Sequence, residues 1–250
     1  MDAAEQLPPA VRVLNEAGAS PYVLLCEHAS RFMPRACKGL GLGAEDLERH
    51  IAWDIGAADV AGALSRLIDA PLVMAGYSRL LIDLNRPVDS PTSIPETSET
   101  TVIPGNAALA PDERARRIAL YFDPFQSAVR RLLDARRAAE RPATIIGVHS
   151  FTPVYKGVAR PWHAGILYRR SRVFGHALAE ALGGAAAHIA ENEPYQIEDD
   201  SDYTVPVHGE ARGLDAVLIE LRQDLVATSE GASAWAIRLA SALQSLAKAA

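Results

Sequence analysis

Two histidines, His28 and His149, stand at the ends of short apolar runs, Tyr22 to Cys26 and Ala143 to Val148. Two neutral imidazoles and one carboxylate are the ligand set of a hydrolytic zinc ion, which keeps a further position free for water. Asp54, between Trp53 and Ile55-Gly56, is the first choice for the carboxylate, and Glu27 is the second. Asp54 suits equally well the N-cap of the helix that begins after it. Glu27 and His28 are adjacent, and adjacent residues of a strand face opposite ways, so both reach one ion only if the strand has already ended. A lone histidine also has a plain structural use as a hydrogen-bonded or surface residue.

Glu220 ends the run Ala216 to Leu221. A carboxylate buried there is costly unless it is used, for instance as the general base that takes a proton from water and returns it to a leaving amine. Arg222, two residues on, shares its face of the strand and could hold a substrate carboxylate or a developing oxyanion. Asn85 and Arg86 follow the run Leu80 to Leu84, and Arg86 could bind a carboxylate of a ligand or of its own loop. Ser30 and Ser150, each close to a histidine, keep a metal-free serine amidase open. His50, His176 and His188 fall in helical or surface-like patterns and read as structural.

These residues need a scaffold that gathers strand ends. Apolar runs at Pro71 to Ala75 and His163 to Tyr168 join those named above, alternating with helical periodicity at 55–68, 111–140, 172–182 and 230–249. The pattern predicts one α/β domain over 1–250, with about 1–20 as an N-terminal extension, built on a mixed, mostly parallel sheet covered by helices on both faces. In such sheets ligands gather beyond the carboxyl ends of the strands. Asn85 to Asn106 and Glu191 to Arg212 lack periodicity and read as long functional loops.

Composition excludes several classes. A formal charge of −6 and a pI near 5.7 disfavour nucleic acid as a partner. The arginine-rich stretch 130–141 reads as the solvated face of a helix. The sequence has no apolar stretch of membrane-spanning length, and its first residues lack the pattern of a secretory signal, so the expectation is a soluble, cytoplasmic protein. Cys26 and Cys37 are too few for a disulfide framework and too far apart for a Cys-x-x-Cys motif. Nucleophile-elbow, phosphate-loop, dinucleotide and His-Glu-x-x-His signatures are absent. The alanine-rich 230–249 helix could form a dimer contact or simply cover the sheet.

Five blocks together carry a resemblance: Glu27-His28-Ala29-Ser30; His50 through Trp53-Asp54 to Gly56; Ser78-Arg79 through Asp83 to Asn85-Arg86-Pro87; Val148-His149-Ser150-Phe151-Thr152-Pro153; and Ile219-Glu220-Leu221-Arg222 to Leu225. In order and spacing they resemble the N-formylglutamate amidohydrolase family, from about Tyr22 to Leu225. The resemblance implies a zinc-carboxypeptidase-like, phosphorylase/hydrolase-like fold. It implies zinc, or another divalent metal, and hydrolysis of the linear amide of an N-acyl amino acid such as N-formyl-L-glutamate by metal-activated water. It supports His28, Asp54 and His149 as ligands and Glu220 as base, with Arg222 and His208 also catalytic. Arg86, Asn85, Ser150, Asn192 and Tyr195 become the substrate side, for a small acidic N-acyl amino acid. Arg31 stands where a His-x-x-Glu pair would place its glutamate, so the third ligand must come from elsewhere. The alternative from another class is a non-catalytic protein that binds an acidic small molecule on a degenerate hydrolase scaffold.

Overall fold

The computed structural model describes residues 5–249 of the chain. Eleven strands follow in chain order: β1 (Val11–Leu14), β2 (Tyr22–Cys26), β3 (Leu72–Ala75), β4 (Thr97–Ser98), β5 (Thr101–Val102), β6 (Thr144–Phe151), β7 (Val154–Tyr155), β8 (Val158–Ala159), β9 (Ala164–Leu167), β10 (Ile189–Glu191) and β11 (Ala216–Arg222). Seven form one sheet in the order β1-β3-β2-β6-β11-β9-β10, while β4-β5 and β7-β8 are separate two-stranded ribbons. The pairs β2-β3, β2-β6, β6-β11 and β9-β10 are parallel; β1-β3 and β9-β11 are antiparallel. The expected mixed, mostly parallel sheet is therefore present. No helix among the described residues is long and apolar enough to cross a membrane.

Helices cover both faces, as expected. On one side α2 (Ala57–Ile68), α5 (Arg172–Ala181) and α6 (Ser229–Ala249) pack on Leu24, Ile146, Val217 and Ile219. On the other, α4 (Asp123–Ala138) and the segment Leu80 to Leu84 pack on Leu25, Val73, Ile145 and Leu218. Alternation along each strand sends neighbouring residues to the two cores. A short helix, α1 (Ala44–Glu48), precedes α2, and α3 (Pro111–Arg117) leads into α4.

Three expectations need correction. Residues Val11–Leu14 are not part of an extension but the edge strand of the main sheet, paired to β3; residues 1–4 lie outside the described part. Leu80 to Leu84 form no strand. Their carbonyls are met by side chains instead: Asn106 Nδ2 donates to Leu80 at 2.9 Å, Arg117 Nη1 to Leu81 at 3.0 Å and Gln126 Nε2 to Leu84 at 2.7 Å. Buried backbone acceptors need partners, and here a ladder is unnecessary. The helix expected over 111–140 passes through a π-helical turn at Ile118–Phe122. Pro124 follows within one turn and offers no backbone N–H, so the regular ladder cannot run through it.

Close approach across the sheet depends on Gly165 of β9, which pairs with Glu220. A Cβ there would overlap the Glu193 carbonyl oxygen, so only glycine lets the chain that carries Tyr195 cross this strand. Gly165→Ala is expected to lower stability by about 1–3 kcal/mol, the usual cost of overpacking. Denaturant unfolding would measure it, and an unchanged midpoint would show that the crossing chain yields freely.

Candidate metal centre and active site

The sheet reverses direction of growth between β2 and β6: from β2 the chain moves outward to β3, and β6 returns on the opposite side. Side chains at the carboxyl ends of those two strands converge on one crevice. β2 stops at Cys26, so Glu27 and His28 are free of strand alternation. The Asp54 N–H donates to the His28 carbonyl at 3.0 Å, which ties the segments of His28 and Asp54 together. The helix after Asp54 is capped by Gly56, without a side-chain cap, so the Asp54 carboxylate is not an N-cap.

That carboxylate instead meets both imidazoles. His28 Nδ1 lies 3.2 Å from Asp54 Oδ2, His149 Nδ1 lies 2.9 Å from the same oxygen, and the two Nδ1 atoms are 3.2 Å apart. All three residues are buried, and together they form a candidate metal site. A tetrahedral ion with bonds of about 2.0–2.2 Å spaces its ligand atoms by roughly 3.3–3.6 Å, a little more than the separations here, so this donor set fits zinc or a similar divalent ion after a small outward shift. Two neutral imidazoles cannot satisfy each other and one carboxylate oxygen with a single bridging proton, whereas a shared cation satisfies all three.

The opposite nitrogens face carboxylates, the arrangement that orients metal-binding histidines. His28 Nε2 lies 2.8 Å from Asp83 Oδ1. His149 Nε2 lies 3.2 Å from Glu27 Oε2, at an angle short of a hydrogen bond. Glu27, the second choice as ligand, thus stands behind His149, and Thr204 Oγ1 donates to its other oxygen. Arg79 joins the cluster, donating to Asp83 Oδ2 from Nε at 2.9 Å and from Nη2 at 2.5 Å, and to Asp54 Oδ1 at 3.4 Å. Burial alone would raise Asp54, but the charges and hydrogen bonds of His28 and His149 hold it far below the usual carboxylate range. Burial alone would lower His149, but Asp54 and Glu27 lift it well above an ordinary imidazole.

The cluster forms part of the lining of a cavity of about 540 Å³, which Glu220, Arg86, Asn85, Ser150 and Tyr195 also line. Glu220 is paired in register with His149, and Gly165 flanks it on the other side. Burial lifts its carboxyl to about 7, and Oε2 has no hydrogen-bond partner among the described residues. Arg86 makes no hydrogen bond or ion pair with any described residue. Asn85 plays a holding role, accepting the N–H groups of Tyr203 and Thr204 at 3.1 and 2.9 Å. Ser150 Oγ donates to the Ile55 carbonyl at 2.7 Å and Ser30 Oγ accepts from Phe32 N–H, so neither hydroxyl is paired with an imidazole as a serine nucleophile would be.

Arg222, His208 and Asn192 do not line this cavity. The Arg222 guanidinium is drawn back to Asp224 at 2.8 Å and to the Pro161 carbonyl. His208 is fully buried, bonded through Nε2 to Gln126 Oε1 at 2.6 Å and lowered by burial to about 4. The Asn192 side chain accepts the Tyr168 N–H at 2.9 Å. Asp83, Arg79 and Thr204 have site positions to which the sequence reading gives no role. Asp83 follows an apolar run just as Glu27 does, which is a local signal; nothing local marks Thr204, because only the tertiary fold brings it to Glu27. His50, read as structural, lines the cavity, with Nε2 3.5 Å from Glu99 Oε2.

A mixed α/β sheet with a candidate metal centre opening on a cavity is the class that fold and site define. The profile of the N-formylglutamate amidohydrolase family matches residues 20–227, and the chain belongs to that family, which points to hydrolysis of amide bonds. Among solved structures, gene product Atu2144 from Agrobacterium tumefaciens is 38% identical, with a TM-score of 0.91 over 96% of this chain and 97% of that one. N-formylglutamate amidohydrolase from Ralstonia eutropha JMP134 shares the fold at 20% identity, with a TM-score of 0.71 over 96% of this chain and 98% of that one. No curated protein matches the chain at a significant level.

Purified protein is expected to bind one divalent ion per chain, and His149→Ala to bind none; elemental analysis reads both. Since its carboxylate neighbours raise the imidazole pKa values, protons compete with the ion as pH falls. Metal affinity should therefore weaken from pH 8 to pH 6, with proton release on binding measurable by calorimetry in two buffers.

Proposed function

We propose that this protein is a zinc-dependent, cytoplasmic amidohydrolase that cleaves the amide of an N-acyl amino acid, of the N-formyl amino acid kind. The observation that carries this reading is the triangle of His28 Nδ1, His149 Nδ1 and Asp54 Oδ2 in a cavity shared by Glu220 and an unpaired Arg86. His28, His149 and Asp54 would hold the ion, which when bound supplies Lewis-acid polarisation of the scissile carbonyl. Glu220 accepts a proton from the attacking water and delivers it to the leaving nitrogen, so that an amine and not an amide anion departs. Its burial suits both halves of that task, because a carboxyl near neutrality both takes and gives a proton. Arg86 holds the substrate carboxylate, and Asp83 and Glu27 keep the two imidazoles oriented. Cys26 and Cys37 are free thiols, as a reducing compartment requires.

Glu220→Gln should keep the metal yet lose roughly a hundredfold or more in turnover; normal turnover would assign the base elsewhere. Arg86→Gln should raise KM about tenfold to a hundredfold, the worth of a charge-assisted hydrogen bond. The wild-type rate should fall as pH drops through a midpoint at or below about 7, because Glu220 works ionised and a bound cation pulls its titration downward. Activity that survives chelation, or ligand binding without turnover of any N-acyl amino acid, would favour a metal-free enzyme or a binding protein respectively.

A further inference from the structure

Two arginines and no lysine line the cavity. Arg79 is committed: its guanidinium spans Asp83 and Asp54, the carboxylates that orient and complete the metal centre. Arg86 is uncommitted among the described residues. Against these stand six carboxyl side chains in the lining: Asp54, Asp83, Glu99, Glu198, Asp202 and Glu220. Glu99 has its own cation, Arg49, at 2.8 Å. Glu198, Asp202 and Glu220 have no ion pair with any described cation. Even with a divalent ion at the histidines, the wall stays acidic and offers one free cationic receptor.

Resting on the amidohydrolase reading above, we infer that the site accepts a substrate with a single carboxylate, so that the preferred N-acyl amino acid carries an uncharged side chain and not that of glutamate. One carboxylate finds Arg86. A second has no free cation in the cavity and meets the field of Glu198, Asp202 and Glu220, and like charges brought together in a confined site discriminate strongly. The rest of the lining suits a neutral side chain: Thr97, Ser98 and Tyr155 offer hydroxyls, and the His50 Nε2 has no hydrogen-bond partner among the described residues. Burial holds His50 below an ordinary imidazole despite the Glu99 carboxylate beside it.

The test uses the full chain loaded with zinc and two probes that differ only in one charge, N-formyl-L-glutamine and N-formyl-L-glutamate. Calorimetry is expected to give a Kd at least about tenfold lower for the glutamine compound. Equal or tighter binding of the glutamate compound overturns the inference. Glu198→Lys, which puts a cation on an exposed part of the wall, is expected to close the gap, and a gap of undiminished size overturns its electrostatic basis. Amine release from both probes is followed in parallel. Preference for glutamine without any hydrolysis refutes the amidohydrolase reading while supporting the charge selection; hydrolysis with glutamate preferred does the reverse.

Discussion

Ionisable groups can be taken out of water only if they answer one another, and that constraint organises the crevice between β2 and β6. Asp54, Asp83 and Glu27 would each be costly to bury alone. Arranged around His28, His149 and Arg79, every one has an imidazole or guanidinium nitrogen within 3.2 Å. The residues come from four separate stretches of chain, so the cluster also fixes how those stretches lie together. Sheet topology brings the strand ends into one place, and charge pairing decides how the side chains meet there.

Around that centre the sequence supplies local means of keeping it in register. Gly56 turns the chain from Asp54 into α2 with a positive φ, and a side chain there would overlap the Val226 carbonyl. Thr204 steadies Glu27, and Asn85 holds the Thr204 backbone in return. Across the mouth, Glu99 links two ribbons: it accepts the Lys156 N–H at 3.2 Å at the β7-β8 turn while sitting at the β4-β5 turn itself. Arg160 stacks on Tyr155 and Tyr195 and donates to the Tyr195 hydroxyl, which places one wall of the cavity.

Much of this is legible in the residues. Apolar runs ending in histidine or carboxylate mark β2, β6 and β11 and thereby His28, His149 and Glu220, because a buried strand leaves few other reasons for a polar residue at its end. Three things were hidden. Leu80 to Leu84 has a strand's composition, but the partners of its carbonyls lie on α3, α4 and a loop, which no local pattern announces. Arg222 has the right spacing from Glu220, yet Asp224, two residues on, captures its guanidinium. The service of Asp83 and Thr204 to the histidines depends on contacts over 55 and 177 positions of sequence.

The irregular segment before Asp83 ties the centre to distant parts of the molecule. Its carbonyls hang from Asn106, Arg117 and Gln126, the last two on or beside a helical rod whose outer face meets solvent. Asp83 in turn sets the orientation of His28. Exchanges along that rod can therefore shift the contact between Asp83 and His28, and with it the geometry of the candidate metal centre, from well outside the cavity.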